Sequence, residues 1–214
     1  MTYKKLTLEF FHDVVCGWCF NLSPRLRSLS DTFDIEIRHR TFVLQASSAE
    51  MVRRFGSMAW AKETILEHWR NCRSASDQPQ AFNIEGMRRA AFDYPHGLPG
   101  ALACKATERQ EGQSGHWAMF DALQRAHISR ARNVADYSVL AELADDIGLS
   151  RPVFMRDLSD AHTRSLVEAD RSYAAQMQVT SVPTVIVVET GKRLVNGPLE
   201  SLRTQIARCF GVAA

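Results

Sequence analysis

The chain has 214 residues, 45% of them hydrophobic, enough to bury a substantial core without help from disulfides. Lys and Arg total 26 against 24 Asp and Glu, a net charge of +2 with no like-charged block, which argues against a nucleic-acid-binding tail and gives no reason to expect a nucleic-acid partner. No apolar run approaches the roughly 18 residues of a membrane span, and Met1 to Lys5 lead straight into a strand-like segment with no room for a signal sequence. No membrane association and a cytoplasmic location are therefore expected.

In chain order, Leu6 to His12 alternates with period two and predicts a strand that stops shortly before Cys16. Leu22, Leu26 and Leu29 then recur at helical spacing, and Phe33, Ile35 and Ile37 alternate with Asp34, Glu36 and Arg38 as a second strand. Strand, helix, strand with a right-handed crossover puts the loop after the first strand at the carboxyl edge of the sheet. From about Ala46 to Ala161 strand signals vanish. Ser47 with Glu50 reads as a capping box before a helix over Met51 to Asn71, and Asn83 as the cap of Ile84 to Phe92. Further helices are expected over Pro99 to Glu111, Gly115 to Ser129, Asp136 to Ile147, Arg151 to Leu158 and Thr163 to Gln176. Thr184 to Val188 is short, β-branched and bounded by Pro and Gly, hence a buried strand; a hairpin into Arg193 to Val195 follows, and Pro198 opens a last amphipathic helix. The expected organisation is a compact α/β unit over 1–45 and 162–214, interrupted by an all-helical insertion over 46–161.

Five cysteines is an odd count, and Cys72, Cys104 and Cys209 are scattered, unlike a secreted disulfide framework. Cys16 and Cys19 stand apart because thiol–disulfide exchange needs one thiolate to attack and a second thiol close enough to release the mixed disulfide. At the start of a helix the first cysteine meets unpaired amides and the positive end of the helix dipole, which favour a thiolate, while the second lies a turn deeper. Cys16 is thus expected to attack and Cys19 to resolve, with Gly17 allowing close approach of a partner chain and Trp18 offering an apolar face. A structural zinc would need two further ligands, and neither a second cysteine pair nor a shared spacing among the histidines supplies them, so no metal is expected. His12 and Asp13, just before the pair, are placed to aid proton transfer or tune Cys16, His12 favouring the thiolate and Asp13 opposing it, but are read first as surface residues at a strand end; Trp60, Trp69 and Trp117 are read as core of the helical block, and Cys72, Cys104 and Cys209 as buried fillers.

The combination of Cys16-Gly17-Trp18-Cys19 between two strands, a large helical insertion, and Val182-Pro183-Thr184 ahead of a strand–strand–helix ending resembles the DsbA-like branch of the thioredoxin superfamily along the whole chain. The run Asp13 to Phe20 is most similar to the FrnE-like group, which usually carries Pro where this chain has Gly17. The resemblance implies a thioredoxin fold, βαβ then ββα, with an all-helical insertion. It further implies a nucleophilic role for Cys16, a cis bond at Val182-Pro183, and pairing of the Val182 backbone with bound substrate. Protein or small-molecule thiols and disulfides are the implied partners, a homodimer being compatible with the sequence. No cofactor is implied beyond the redox-active disulfide itself, with glutathione open as a co-substrate. Phe10 stands where thioredoxins bury an Asp. The same architecture occurs in kappa-class glutathione transferases and 2-hydroxychromene-2-carboxylate isomerases, which activate glutathione with a single Ser or Cys, so Cys19 favours the dithiol reading. A partner-binding adaptor in which the cysteines merely pack is the non-enzymatic alternative. The insertion is expected to close over Cys16 and form an apolar groove with Trp18.

Overall fold

The computed structural model describes residues 5–211. Its sheet has four strands in the order β2, β1, β3, β4, with β1 (Leu6–His12) at the centre, β2 (Ile35–Thr41) parallel to it, and β3 (Thr184–Val187) and β4 (Lys192–Leu194) successively antiparallel. Leu8 pairs with Ile37 on one side and Val187 on the other. A central strand needs apolar residues on both faces: Leu6, Leu8 and Phe10 enter the main core, while Phe11 packs with Ala174, Val179 and Ile186 behind the sheet. The α1 helix (Gly17–Ser30) crosses between β1 and β2 and buries Cys19, Leu22, Leu26 and Leu29. This is the expected α/β fold, βαβ then ββα, with a helical insertion.

Between β2 and β3 run seven α-helices. They are α2 (Ser48–Phe55), α3 (Met58–Ser74), α4 (Ile84–Arg89), α5 (Leu98–Gln124), α6 (Tyr137–Asp146), α7 (Arg151–Ser159) and α8 (Ala161–Gln176); α9 (Leu199–Cys209) closes the chain. The helix expected over Met51 to Asn71 is two. Gly56, at φ 86°, ends α2, and the Ser57 hydroxyl accepts from the Trp60 amide to start α3. Likewise α4 stops at Arg89 rather than at Phe92. The two helices expected on either side of residues 112–114 form α5, broken at Gly112, whose φ of 65° and ψ of −155° are non-helical, and continued by a π-helical turn over Arg125–Ser129. Ser47 and Asn83 accept from an amide of the following helix as expected, and Asp136 and Asp160 cap α6 and α8 in the same way. Trp69 is buried and Trp117 half-buried, but Trp60 is 69% exposed and is not core. Among the described residues no helix is long and apolar enough to cross a membrane.

Charges tie the insertion to the sheet. Asp170 on α8 accepts from the Thr41 amide (2.9 Å) and hydroxyl (3.1 Å) and pairs with Arg40 on β2 (3.2 Å) and Lys105 on α5 (2.8 Å). Lys105 also pairs with Glu108 (2.7 Å), and Arg40 with Glu9 on β1 (2.7 Å).

Candidate active site

The site forms where β1 ends and α1 begins. Cys16 is the N-cap of α1, in extended backbone conformation, and its sulfur accepts from the Cys19 amide at 3.4 Å. It is thus held over the unpaired amides of the first turn. Both cysteines are thiols here. Cys16 is 8% exposed and Cys19 0%, so the first lies at the rim and the second beneath it. Burial, reinforced by the Cys16 sulfur, pushes the Cys19 thiol well above its ordinary value. The Cys16 thiol also lies 3.7 Å from the Val182 carbonyl oxygen, and the Val182–Pro183 bond is cis, as the resemblance implied. Val182 and Pro183 are half-buried and Trp18, 36% exposed, stands on the rim.

The loop that presents Cys16 is over-determined. Gln124 donates through Nε2 to the carbonyls of Cys16 (3.0 Å) and Val14 (3.2 Å), and the Tyr94 hydroxyl donates to that of Val15 (3.0 Å). Asp13 accepts from the amides of Val15 (3.1 Å) and Leu44 (2.6 Å). Gly97 must be glycine for this carboxylate to fit, since a Cβ there would lie 2.4 Å from both oxygens. Asp13 and His12 were expected at the surface, yet both are buried. The reason is that α5 and the segment before it, with Tyr94 and Gly97, cover the carboxyl end of β1, a tertiary contact with no local signature. Burial raises Asp13 above the usual carboxylate range, against the pull of its backbone donors.

The insertion therefore reaches the redox loop, but as packing and hydrogen bonds. A cavity of about 320 Å³ runs along α1, lined by Phe20, Pro24, Arg25, Asp77 and Gln124 among others, and includes neither Cys16 nor Trp18. Cys72 and Cys104 are buried and Cys209 half-buried. Cys72 is more than filler, since a Cβ on Gly17 would meet its sulfur at 3.0 Å and the Phe82 ring at 3.3 Å, so Gly17 also makes room for the insertion. Burial and the neighbouring Cys16 push the Cys72 thiol up to about 12.

Histidines gather on the inner side of the site. His12, His39 and His116 come from β1, β2 and α5 and meet beneath the sheet edge, each buried. No spacing could reveal this, because register brings His39 opposite Phe10 and only tertiary packing adds α5. His127 donates to the Tyr94 oxygen (2.9 Å), and burial brings it down to about 3. Below its ordinary 6.5 the unfolded chain takes up a proton at this position that the folded chain refuses until about pH 3, so stability drains away over that window. Glu108 adds to the loss lower down. Burial alone would raise it, but the hydrogen bond from His116 and the Lys105 charge hold it at about 2, so its contribution is complete above 4.5 and lost as pH falls toward 2. The thermal midpoint is expected to drop steadily from pH 6.5 to 4.5, and His127→Gln, which can still donate to Tyr94, should flatten that slope by up to about 1.4 kcal/mol per pH unit. An unchanged slope in thermal scans of the variant would contradict this assignment.

Comparison with known proteins bears on the family and the fold. The family profile of the DSBA-like thioredoxin domain matches residues 7–207, and the chain belongs to that family. Among solved structures, the cytosolic disulfide reductase DsbM from Pseudomonas aeruginosa is similar over 97% of this chain and all of its own, with 22% identity and a TM-score of 0.76; its structure with GSH gives 0.75. A 2-hydroxychromene-2-carboxylate isomerase shares the fold at 13% identity, covering 95% of this chain and 94% of its own, with a TM-score of 0.65. A curated relative, the ClpXP adapter protein SpxH of Bacillus subtilis, is 26% identical over 190 residues, which cover 87% of this chain. The chain spans 60% of that relative's length. The likeness to the solved structures shows the fold.

Proposed function

We propose that this chain is a dithiol–disulfide oxidoreductase in which the Cys16 thiolate attacks and Cys19 resolves, with bound substrate lying along Gly17, Trp18, Val182 and Pro183. The observation that carries this reading is the placement of the Cys16 sulfur at the N-terminus of α1, 3.7 Å from the Val182 carbonyl, with the buried Cys19 one turn below. In the reductive direction Cys16 forms a bond to one substrate sulfur and the other leaves as a thiolate. Cys19 then loses its proton and attacks the Cys16 sulfur, releasing the second substrate thiol and leaving a Cys16–Cys19 disulfide, so two electrons pass to the substrate. The oxidative direction is the reverse. The high proton affinity of Cys19 places the cost of its deprotonation in the second step.

Glutathione is the first small thiol to test, given DsbM with GSH among the similar structures. That protein's cytosolic setting, with the scattered unpaired cysteines of this chain, supports a cytoplasmic site of action. The likeness to SpxH favours a second reading, a protein-binding adapter of the ClpXP type, in which the thiols do not turn over.

Equilibration with glutathione redox buffers separates the two, with thiol trapping and Trp18 fluorescence as readouts. A single two-electron transition between dithiol and Cys16–Cys19 disulfide is expected, its midpoint giving the direction of use, since 30 mV corresponds to about 1.4 kcal/mol. A pair that stays reduced across the whole range, or that stops at a glutathione adduct of Cys16, removes the dithiol reading.

A further inference from the structure

The buried histidine cluster lies outside the thiol chemistry. The candidate ligand nitrogens of His12, His39 and His116 all lie within 4.8 Å of one another, and all three side chains are fully enclosed. His116 Nδ1 sits 2.6 Å from Glu108 Oε2, and a carboxylate there fixes the proton on Nδ1 and leaves the Nε2 lone pair facing the other two rings. The His12 Nε2 atom approaches that lone pair at 3.1 Å. Two imidazole nitrogens on one tetrahedral zinc, each at about 2.0–2.1 Å, are about 3.3–3.4 Å apart, so this pair is already spaced as ligands of a single ion. His39 hydrogen-bonds through neither ring nitrogen, and His12 Nδ1 is also without a partner. Leaving a buried polar atom unpaired costs about 1–3 kcal/mol, and native interiors rarely tolerate several together.

From this geometry we infer that His12, His39 and His116 form a buried site for one divalent ion of the zinc class. Three neutral imidazoles are a donor set that suits zinc and its neighbours rather than magnesium or calcium. Glu108 is the carboxylate that orients a ligating histidine from behind, the arrangement that metal sites use to fix tautomer and raise ligand basicity. The Lys105 charge that acts on the rings is itself bound by Glu108 at 2.7 Å and Asp170 at 2.8 Å, and the Arg27 charge that acts on His39 is bound by Asp121 at 2.7 Å. Because Phe10, Phe120 and Trp117 pack around the rings, the ion enters as the chain folds and its role is to pin α5 to the ends of β1 and β2.

The test uses the full chain carrying Cys16→Ser and Cys19→Ser, so that no redox thiol can hold the ion. Refolded with Zn²⁺, it should retain about one zinc per chain after desalting, by elemental analysis. Refolded with Co²⁺, it should show the visible bands of a tetrahedral site without a thiolate-to-cobalt charge-transfer band. Glu108→Gln keeps an acceptor for His116 and is expected to weaken Zn²⁺ affinity about 10–100-fold while the chain stays folded by circular dichroism. His39→Leu should abolish retention. Zinc below a tenth of an equivalent after refolding, a thiolate band in the cobalt spectrum, or full retention in folded His39→Leu would each overturn the assignment.

Discussion

Replacing Cys19 by Ser is expected to leave the first half of disulfide exchange intact and to stop the second. Offered a protein disulfide without excess small thiol, the variant should accumulate as a one-to-one mixed disulfide through Cys16, and steady-state turnover should fall by about three orders of magnitude. The argument is positional. Cys16 is at the rim with its sulfur beside the Val182 carbonyl, so an incoming disulfide can reach it, whereas Cys19 is enclosed in the core with its amide turned to the Cys16 sulfur. Serine keeps the hydrogen-bonding capacity and cannot break a sulfur–sulfur bond. Intact-mass measurement with peptide mapping reads the adduct directly. Adducts at Cys72 or Cys209 instead, or turnover equal to that of the unaltered chain, would show that the pair does not act in the assigned order.

The second large effect is on stability. Asp170→Ala is expected to destabilise the fold by about 3–5 kcal/mol, because it removes one of two carboxylates from the buried Lys105 and strips the Thr41 amide and hydroxyl of their acceptor. For a domain of this size each kcal/mol is about 2–4 °C in thermal midpoint, so the drop should be about 6–20 °C. Glu168→Ala, two residues away on the same helix, breaks only an exposed i,i+3 pair with Arg171 and should change stability by less than about 1 kcal/mol. Equal losses from the two substitutions in thermal scans would refute the view that Asp170 clamps β2 and α5 together.

Local patterning carried much of this structure. The alternation in Leu6 to His12, the helical recurrence of Leu22, Leu26 and Leu29, the β-branched run at Thr184, and the caps at Ser47 and Asn83 are each short-range signals and appear where expected. Gly56-Ser57 was as local, and it ends one helix and caps the next within a stretch that reads as continuous. The placement of Cys16, Cys19, Val182 and Pro183 followed from the family resemblance and motif order. What surrounds them did not. His12 and Asp13 sit at the end of a strand, where exposure is the ordinary expectation, and only the cover laid down by the insertion buries them. Cys72 and Gln124 approach the redox loop from 53 or more residues away, and the meeting of His12, His39 and His116 depends on strand register and helix packing together. Such convergence is a property of the assembled core, to which single-sequence periodicity is blind.

The sheet order also constrains assembly during synthesis. β1 and β2 leave the ribosome early and can pair as soon as α1 has formed, but the other edge of β1 is completed only by β3, with Leu8 waiting for Val187. Until then a nascent chain offers a row of unpaired amides and carbonyls along Leu6 to Phe11, and a pair of thiols not yet faced by Val182, which lies 166 residues beyond Cys16. Contacts of such long sequence separation form late and slowly. The helical insertion, made of local contacts, has time to fold in the interval and to shelter the loop with Gln124 and Tyr94 before the last strands arrive. The half of the molecule that looks dispensable for sulfur chemistry thus acts as an internal escort, shielding the reactive end of the chain while the remainder is still being made.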